Sequence, residues 1–302
     1  MSAPLLKWIQ QGATAEVAAA VHDDPGLVTA RDPQGVSPLL WSVYFGQPLV
    51  RDFLLGRLEA EGAALDIFEA AAHGTAATMS QQFLKSIQRG ATAEVADALA
   101  ADPALLTWRD PQGVSALLWS IYTGQTLVRD FLLAEMARTG MALDVYEAAA
   151  VGNPDALEKA VVATPEFLRE YSGDGWTALH LASAFGSPEA VKLLLAKGAP
   201  VDAVSKNAQH NQPLHAALAL GRDPQSIRLL LASGADPNAT QTGGYTAIFS
   251  AAAANRRDLI ELLIANGARP ETRNDFGQSA ADFARERGHA ELAGWLDSAS
   301  KI

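Results

Sequence analysis

Histidines and carboxylates are the side chains in this sequence best suited to catalysis or metal binding, but their spacing predicts neither. Of the six histidines, only His210 and His215 lie close together, in the stretch HNQPLH. A turn is predicted at His210 and a helix begins at His215, so both rings are expected to support the backbone rather than hold a metal ion. The repeated Asp-Pro pairs, as at Asp24-Pro25, mark turns and helix ends.

No catalytic signature is present in the sequence. It contains no G-x-S-x-G, no G-x-G-x-x-G, no P-loop and no H-E-x-x-H pattern. Cysteine is absent, which excludes thiolate catalysis, disulfides and cysteine-ligated zinc. We therefore predict that the chain is not an enzyme and that it binds no cofactor and no metal.

Charge and hydropathy restrict the classes of partner. The formal net charge is -11 at pH 7, and the basic residues form no cluster. Nucleic-acid binding needs a basic surface, so the acidic balance favours a basic protein partner and no nucleic acid. The start MSAPLLKWIQQGATAEV does not resemble a signal peptide, and no segment has the roughly 18 uninterrupted apolar residues of a membrane span. These features predict no membrane association and a cytoplasmic location.

The elements that must position any functional side chain are repeated along the chain. The stretch RDPQGVSPLLWSVYFGQPLVRDFLL at 31–55 returns as RDPQGVSALLWSIYTGQTLVRDFLL at 109–133. The match extends over Leu6–Gly74 and Leu84–Gly152, and most aligned positions are identical. This internal duplication is closer than the similarity usual between neighbouring units of a repeat protein.

A shorter period lies beneath the duplication. DGWTALHLASAFG begins at Asp174, HNQPLHAALALG at His210, GYTAIFSAAAAN at Gly244 and FGQSAADFARERG at Phe276. A second apolar helix follows each stretch, and three of these helices end in Gly-Ala, where glycine takes the left-handed conformation cheaply. Neither helix can bury its apolar face alone, so stacking of helix pairs into one core is predicted.

This pattern resembles the ankyrin repeat family, whose T-P-L-H-x-A motif recurs about every 33 residues. The best matches are TALHLA at 177–182 and QPLHAA at 212–217. In the duplicated blocks the motif becomes SPLLWS at 37–42 and SALLWS at 115–120, where leucine replaces histidine and a polar link at the turn is lost. The resemblance implies an all-α solenoid of stacked helix-turn-helix units with protruding turns, in which His180 and His215 bond the turn backbone.

The resemblance also implies which side chains meet a partner. In ankyrin proteins the residue before the Thr of the motif lies on the protruding turn, and the residues before the Gly that ends the first helix face the concave groove. Carried over by position, the candidate partner-binding residues are Val114, Trp176, Asn211, Tyr245 and Gln278 on the turns, and Tyr44, Phe45, Tyr122, Phe185 and Arg287 in the groove.

Aromatic side chains dominate interface hot spots. The aromatic candidates are therefore expected to form a line along one face of the solenoid. The alternative is that some of them, Phe45 and Phe185 first, pack between units. Trp41 and Trp119 fall inside the first helix of their units and are expected mainly in the core, and Trp8 is expected to seal the N-terminal end.

Two segments are predicted. Residues 1–78 form a duplicated N-terminal block of about two units plus an unpaired helix. Residues 79–302 form a complete ankyrin-repeat domain with degenerate first units, clear repeats at 172–275 and a C-terminal cap at 276–302. After IFEAAAHG the partner helix is missing and TAATMSQQ follows. Residues 75–89 therefore either supply that helix in one continuous solenoid or lie at a hinge between two blocks.

The predicted function is protein binding without catalysis, through the concave groove and the turn tips. One alternative is a regulatory or small-ligand-binding subunit of an enzyme, with His210 and His215 as the polar groups. Another is a secreted effector that binds a host protein. Self-association through residues 1–78 is also considered, because an unpaired helix can be exchanged between chains. The Ala-rich, cysteine-free composition favours a bacterial source.

Overall fold

Helices make up the regular structure of this chain. A computed structural model describes residues 3–31, 37–39, 42, 48–60, 75–219 and 223–299. Within these residues there are helices and isolated β-bridges but no β-strand, which confirms the all-α fold predicted from the sequence. The chain divides into two compact units, Met1–Lys85 and Ser86–Ile302.

The first unit is built from α1, Ala3–Gln11, α2, Thr14–Asp23, and α3, Pro48–Ala60. Its described core consists of aliphatic side chains, and Trp8 packs against it. The fourth helix, α4, runs without a break over Thr75–Arg89. The boundary between the units falls inside α4, at Lys85, a few residues from the boundary predicted at residue 78.

The second unit consists of stacked helix pairs. Each inner helix is the first of its pair and packs against the inner helix of the next pair, from α6 to α16. Its helices in chain order, after α4, are α5 Thr92–Ala101, α6 Ala116–Tyr122, α7 Thr126–Arg138, α8 Val145–Val151, α9 Pro154–Ala163, α10 Ala178–Ala184, α11 Pro188–Ala196, α12 Pro213–Ala219, α13 Pro224–Ala232, α14 Ala247–Ala253, α15 Arg257–Ala265, α16 Ala280–Glu286 and α17 Ala290–Ala299.

Alanine lets the inner helices approach closely. Ala149, Ala182, Ala217 and Ala251 are at most 1% exposed and belong to one core that runs through the stack. Between them lie the leucine and isoleucine side chains of the paired helices, so each pair buries its apolar face only against its neighbours. The helices that end in Gly-Ala stop as expected, since Gly198, Gly234 and Gly267 all have positive φ angles near 90°.

Hairpin turns precede most inner helices of the second unit. Bridges Arg109–Ser115, Gln241–Tyr245 and Arg273–Ser279 close three of them. Successive turns are joined by single backbone hydrogen bonds, for example from Thr242 N to Gln209 O at 3.0 Å. The turns therefore form a row beside the inner helices, which defines an inner face made of turns and inner helices.

The helix pair formed by α8 and α9 has no hairpin turn in front of it. Residues 139–144 lead directly from α7 to α8, whereas residues 233–246 separate α13 from α14 and include a hairpin. Asp144 caps α8 instead, accepting a hydrogen bond from Glu147 N at 2.8 Å. The turns of residues 109–115 and 172–176 are therefore neighbours although two helix pairs, α6 with α7 and α8 with α9, lie between them in the sequence.

Tryptophan replaces the polar link that the duplicated motif loses. The indole Nε1 of Trp119 donates a hydrogen bond to Asp110 Oδ2 at 2.9 Å, which ties α6 to its turn. The same carboxylate accepts bonds through Oδ1 from the backbone N–H groups of Gln112 and Val114. Trp119 is partly buried against the core, so it combines the expected packing role with a polar one.

Candidate functional site

Four aromatic rings cluster at the C-terminal end of the inner face. Tyr245, at the end of a hairpin turn, lies 5.4 Å from Phe249 and 5.7 Å from Phe283, measured between ring centroids. Phe276, at the next turn, lies 6.3 Å from Tyr245. We call these four residues the aromatic cluster. The contact of Tyr245 with Phe249 is edge-to-face, a favoured arrangement of aromatic rings. Phe249 is 1% exposed and fixes the cluster in the core, whereas Phe276 is exposed.

A groove of about 470 Å³ opens beside the cluster. Tyr245, Phe249 and Phe283 form its apolar wall, and small residues of α14 complete it. Gln241 and Arg287 add polar groups at its edge, and the guanidinium of Arg287 lies 5.0 Å from the ring centroid of Phe283. The groove thus combines aromatic walls with one exposed cation.

A second aromatic group lies at the other end of the inner face. Tyr122 of α6 packs on Phe185, which follows α10, with ring centroids 5.2 Å apart. The Tyr122 hydroxyl donates a hydrogen bond to Asp174 Oδ2 at 2.8 Å. Burial, followed by the nearby charge of Asp174, raises the pKa of Tyr122, so this phenol stays protonated and holds the turn at Asp174 in place.

Trp176 lies between these two groups. Its ring makes an edge-to-face contact with His180, with centroids 5.4 Å apart. The side chain is half-buried. The aromatic candidates of the second unit therefore lie along the inner face, but in separate clusters rather than in one continuous line of contacts.

Two candidates are buried and a third is half-buried. Val114 is 2% exposed and belongs to the core, and Asn211 is 3% exposed. The Asn211 carbonyl oxygen accepts a hydrogen bond from Ser205 N at 2.8 Å. It also forms a hydrogen bond with His180 Nε2 at 3.0 Å, so its turn folds inward. Gln278 is half-buried and donates to Glu286 Oε1 at 2.7 Å. Val114 and Asn211 are therefore not part of the surface proposed below.

Two other candidates, Tyr44 and Phe45, lie outside the described residues. Trp41, expected in the core of the first block, lies outside them as well. Arg287 is exposed at the rim of the groove, as its position before a helix-ending glycine suggests.

Sequence reasoning missed three members of the aromatic cluster: Phe249, Phe276 and Phe283. The carry-over used only three positions per unit, the one before the motif and the two before the helix-ending glycine. Phe249 replaces the motif histidine, and Phe276 lies two residues before Gln278, the predicted turn position. The available signal was the presence of three of the ten phenylalanines after residue 244.

Histidines support the turns, as the resemblance implied. His180 Nδ1 lies 2.8 Å from Thr177 Oγ1, and its Nε2 lies 3.0 Å from Asn211 O. His215 accepts from Gln212 N at 3.2 Å and lies 2.9 Å from Ala239 O. Burial lowers the pKa of His180 to about 4 and lowers that of His215 as well. The described residues hold no group of three histidine and acidic side chains arranged to bind a metal ion.

The stacked helix pairs, the row of hairpin turns and the buried turn histidines define a helical repeat protein. A family model for ankyrin repeats (3 copies) matches residues 145–241 and 219–301, just over half of the sequence. The chain belongs to the ankyrin repeat family. Ankyrin repeats are in general modules for protein–protein interaction and not catalytic domains.

Relatives match over parts of their length. A putative ankyrin repeat-containing protein of Treponema pallidum (strain Nichols) is 37% identical over 111 residues, which are 37% of this chain and 37% of that protein. The B-cell lymphoma 3 protein homolog of Mus musculus is 34% identical over 114 residues, 38% of this chain and 25% of that protein. A transient receptor potential cation channel subfamily A member 1 homolog of Caenorhabditis elegans is 38% identical over 73 residues, 24% of this chain and 6% of that protein.

The matched stretch thus spans little more than a third of these relatives at most. The similarity therefore identifies the repeat architecture and not the activity of a whole relative. None of the described helices is long and apolar enough to cross a membrane.

Proposed function

We propose that this chain is a non-enzymatic module that binds a protein partner through the aromatic cluster and the groove beside it. The observation that carries the proposal is the exposure of Phe276, 71% of whose surface faces solvent although its ring lies 6.3 Å from that of Tyr245, which lines the groove. A large apolar side chain held on a rigid turn loses little conformational freedom when a partner covers it.

The chemistry of the groove suits a mixed apolar and polar peptide surface. Aromatic and arginine side chains are the residues most enriched among interface hot spots. The aromatic cluster provides the apolar contact, and Arg287 at the rim provides a charged one. Trp176 and the pair formed by Tyr122 and Phe185 extend the proposed surface along the inner face.

Affinity capture from a lysate of the source cell tests this proposal. The baits are the intact chain, a Phe276→Ala/Arg287→Ala variant, and a Leu127→Ala control. Leu127 is 72% exposed on the outer helix α7, so the control removes a comparable exposed apolar side chain elsewhere. A protein retained by the intact chain and by the control, but lost by the double variant, supports the proposal.

Equal capture by all three baits would overturn the proposed site. Loss of capture by the Leu127 control alone would move the site to the outer helices. If no bait retains a protein, the small-ligand alternative becomes the better explanation. Each variant is compared with the intact chain by circular dichroism and thermal unfolding, so that a folding defect is not mistaken for lost binding.

A further inference from the structure

The helix pair that lacks a hairpin turn leaves a cavity on the turn side of the second unit. Turns of residues 109–115 and 172–176 close over the position where the missing turn would lie. Gly173 approaches Gln112 so closely that a Cβ atom on Gly173 would lie 1.6 Å from the Gln112 carbonyl oxygen. Behind this contact lies a cavity of about 210 Å³, which we call the turn cavity.

Aromatic side chains form one wall of the turn cavity. Tyr146 of α8 and Phe167 lie with ring centroids 5.8 Å apart, and Tyr171 lines the cavity beside them. The hydroxyl oxygen of Tyr146 is buried and makes no hydrogen bond to any residue in the described part of the chain. A buried hydroxyl normally has a partner, whereas this one, on a side chain that lines the cavity, has an unused acceptor.

Carboxylates outnumber cations around the turn cavity. Arg109 bonds Asp144 at 2.8 Å and lies 3.5 Å from Glu147, so it neutralises part of that charge. Asp174 also lines the cavity, and its two oxygens accept bonds from Tyr122 and Ser172.

Two further carboxylates and one further cation lie near the cavity. The charge of Glu170 contributes to raising the pKa of Tyr146, and the charge of Asp110 contributes to raising the pKa of Tyr122. Lys206 places its Nζ atom 4.2 Å from the ring centroid of Tyr171. Burial, then the charges of Glu170, Asp144 and Asp174, raises the pKa of Tyr146 to about 12.

We propose that the turn cavity binds the ammonium group of a lysine side chain from a protein partner. Aromatic faces and carboxylates both attract ammonium ions, and the Tyr146 hydroxyl supplies an acceptor. The volume is below the roughly 300 Å³ at which pockets for drug-sized ligands begin, so it suits one side chain.

The exposed glycines Gly113 and Gly173 at the rim leave the entrance open to a partner's chain. The net charge of -11 also favours a basic partner. This inference rests on the proposal that the chain binds a protein, but it uses a different surface from the aromatic cluster.

Titration with capped lysine, Nα-acetyl-lysine N-methylamide, tests the inference on the intact chain. The readout is the backbone amide NMR signals of Gly113 and Gly173. We expect saturable shifts with a dissociation constant on the order of millimolar, because a ligand this small gains little affinity from any one contact. The matched control ligand carries an acetyl group on Nε, which removes the charge, and should give no saturable shift.

A Tyr146→Phe variant tests the hydroxyl separately from the fold. It removes an unpaired buried oxygen, so its melting temperature should be equal to or higher than that of the intact chain. The affinity for capped lysine should fall by about tenfold, the effect typical of losing a hydrogen bond to a charged group. Tyr245→Phe, in the aromatic cluster, should leave that affinity unchanged.

Three results would overturn the inference: no shift at the two glycines, equal shifts with the acetylated ligand, or binding of butylammonium but not of capped lysine. The last result would assign the cavity to a free amine instead of a partner's side chain. Phe276→Ala should not alter this titration. Failure of the lysine site is therefore distinguishable from failure of the aromatic surface.

Discussion

At the scale of single residues, His180 shows how a motif side chain serves the fold. It is 0% exposed, and both ring nitrogens lie within bonding distance of turn atoms. Protonation would place a charge in this buried site, and burial therefore lowers the pKa of His180 to about 4 from its ordinary value of 6.5. The neutral ring is part of the folded structure.

We predict that acidification destabilises the chain through His180. The unfolded chain takes up the proton first as pH falls, so the stabilising contribution is complete above pH 6.5 and is lost as pH falls towards 4. Between pH 7 and pH 5 the loss should be about 2 kcal/mol. Urea unfolding of the intact chain and of His180→Gln at both pH values measures this loss. The free energy of unfolding of the variant should fall less between pH 7 and pH 5 than that of the intact chain.

The exposed His22 provides a control for this pH effect. His22→Gln, at an exposed position, controls for the replacement of a histidine as such. The same pH dependence in the His180→Gln variant as in the intact chain would contradict the assignment of a buried, neutral His180. His215, whose pKa burial also lowers, contributes in the same direction in all three proteins.

At the scale of elements, packing between inner helices depends on a glycine at one contact. A Cβ atom on Gly186 would lie 2.4 Å from Ala149 O in α8 and 2.8 Å from Ala182 O in α10. Backbone atoms cannot move aside as a flexible side chain does. The two inner helices must therefore separate if this position gains a side chain.

We predict that Gly186→Ala destabilises the second unit by about 1–3 kcal/mol, the usual cost of overpacking. Gly294→Ala is the matched control, because Gly294 lies within α17 and a Cβ atom there would meet no atom within 4 Å. The control should be neutral or more stable by about 0.5–1 kcal/mol. Thermal and urea unfolding compare the two; equal stability of both variants would show that the inner helices are not in tight contact there.

The elements could be predicted from the sequence to a large extent. The recurring motif, the leucine pairs and the Gly-Ala ends each encode a local preference that the stacked helices then satisfy together. Positions within the inner face were less predictable. Val114 and Asn211 occupy turn positions by alignment, yet the first packs into the core and the second folds inward to meet His180.

The turn cavity could not be predicted from the sequence. It depends on contact between two turns, those containing Gln112 and Gly173, that are separated by two helix pairs in the sequence. No local sequence pattern predicts that contact. The exposed Phe276 was missed for a simpler reason, because it lies outside the three positions per unit that the resemblance transfers.

At the scale of the whole molecule, the segment around Lys85 is where the two arrangements considered for residues 75–89 can be tested. These residues form one helix, and Phe83 and Ile87 on either side of Lys85 are at most 1% exposed. A protease needs an extended, accessible segment, which a helix with buried neighbours does not offer.

We therefore predict that trypsin cleaves the native chain after Lys85 slowly. Arg138, whose side chain is 70% exposed at the end of α7, is the internal comparison and should be cleaved sooner. Limited proteolysis followed by mass spectrometry gives the order of the cuts. Early cleavage after Lys85, with two persistent fragments, would instead support a hinge between two blocks. The mass of the intact chain by light scattering tests the prediction of self-association through residues 1–78.

The affinity of the captured partner for the intact chain and for Phe276→Ala tests the central claim most directly. Because an exposed aromatic residue at an interface centre behaves as a hot spot, the variant should bind at least about 2 kcal/mol more weakly, roughly 30-fold. Leu127→Ala should bind within about threefold of the intact chain, as residues outside an interface do. Equal affinities of the intact chain and Phe276→Ala would contradict the proposal that the aromatic cluster is the binding surface.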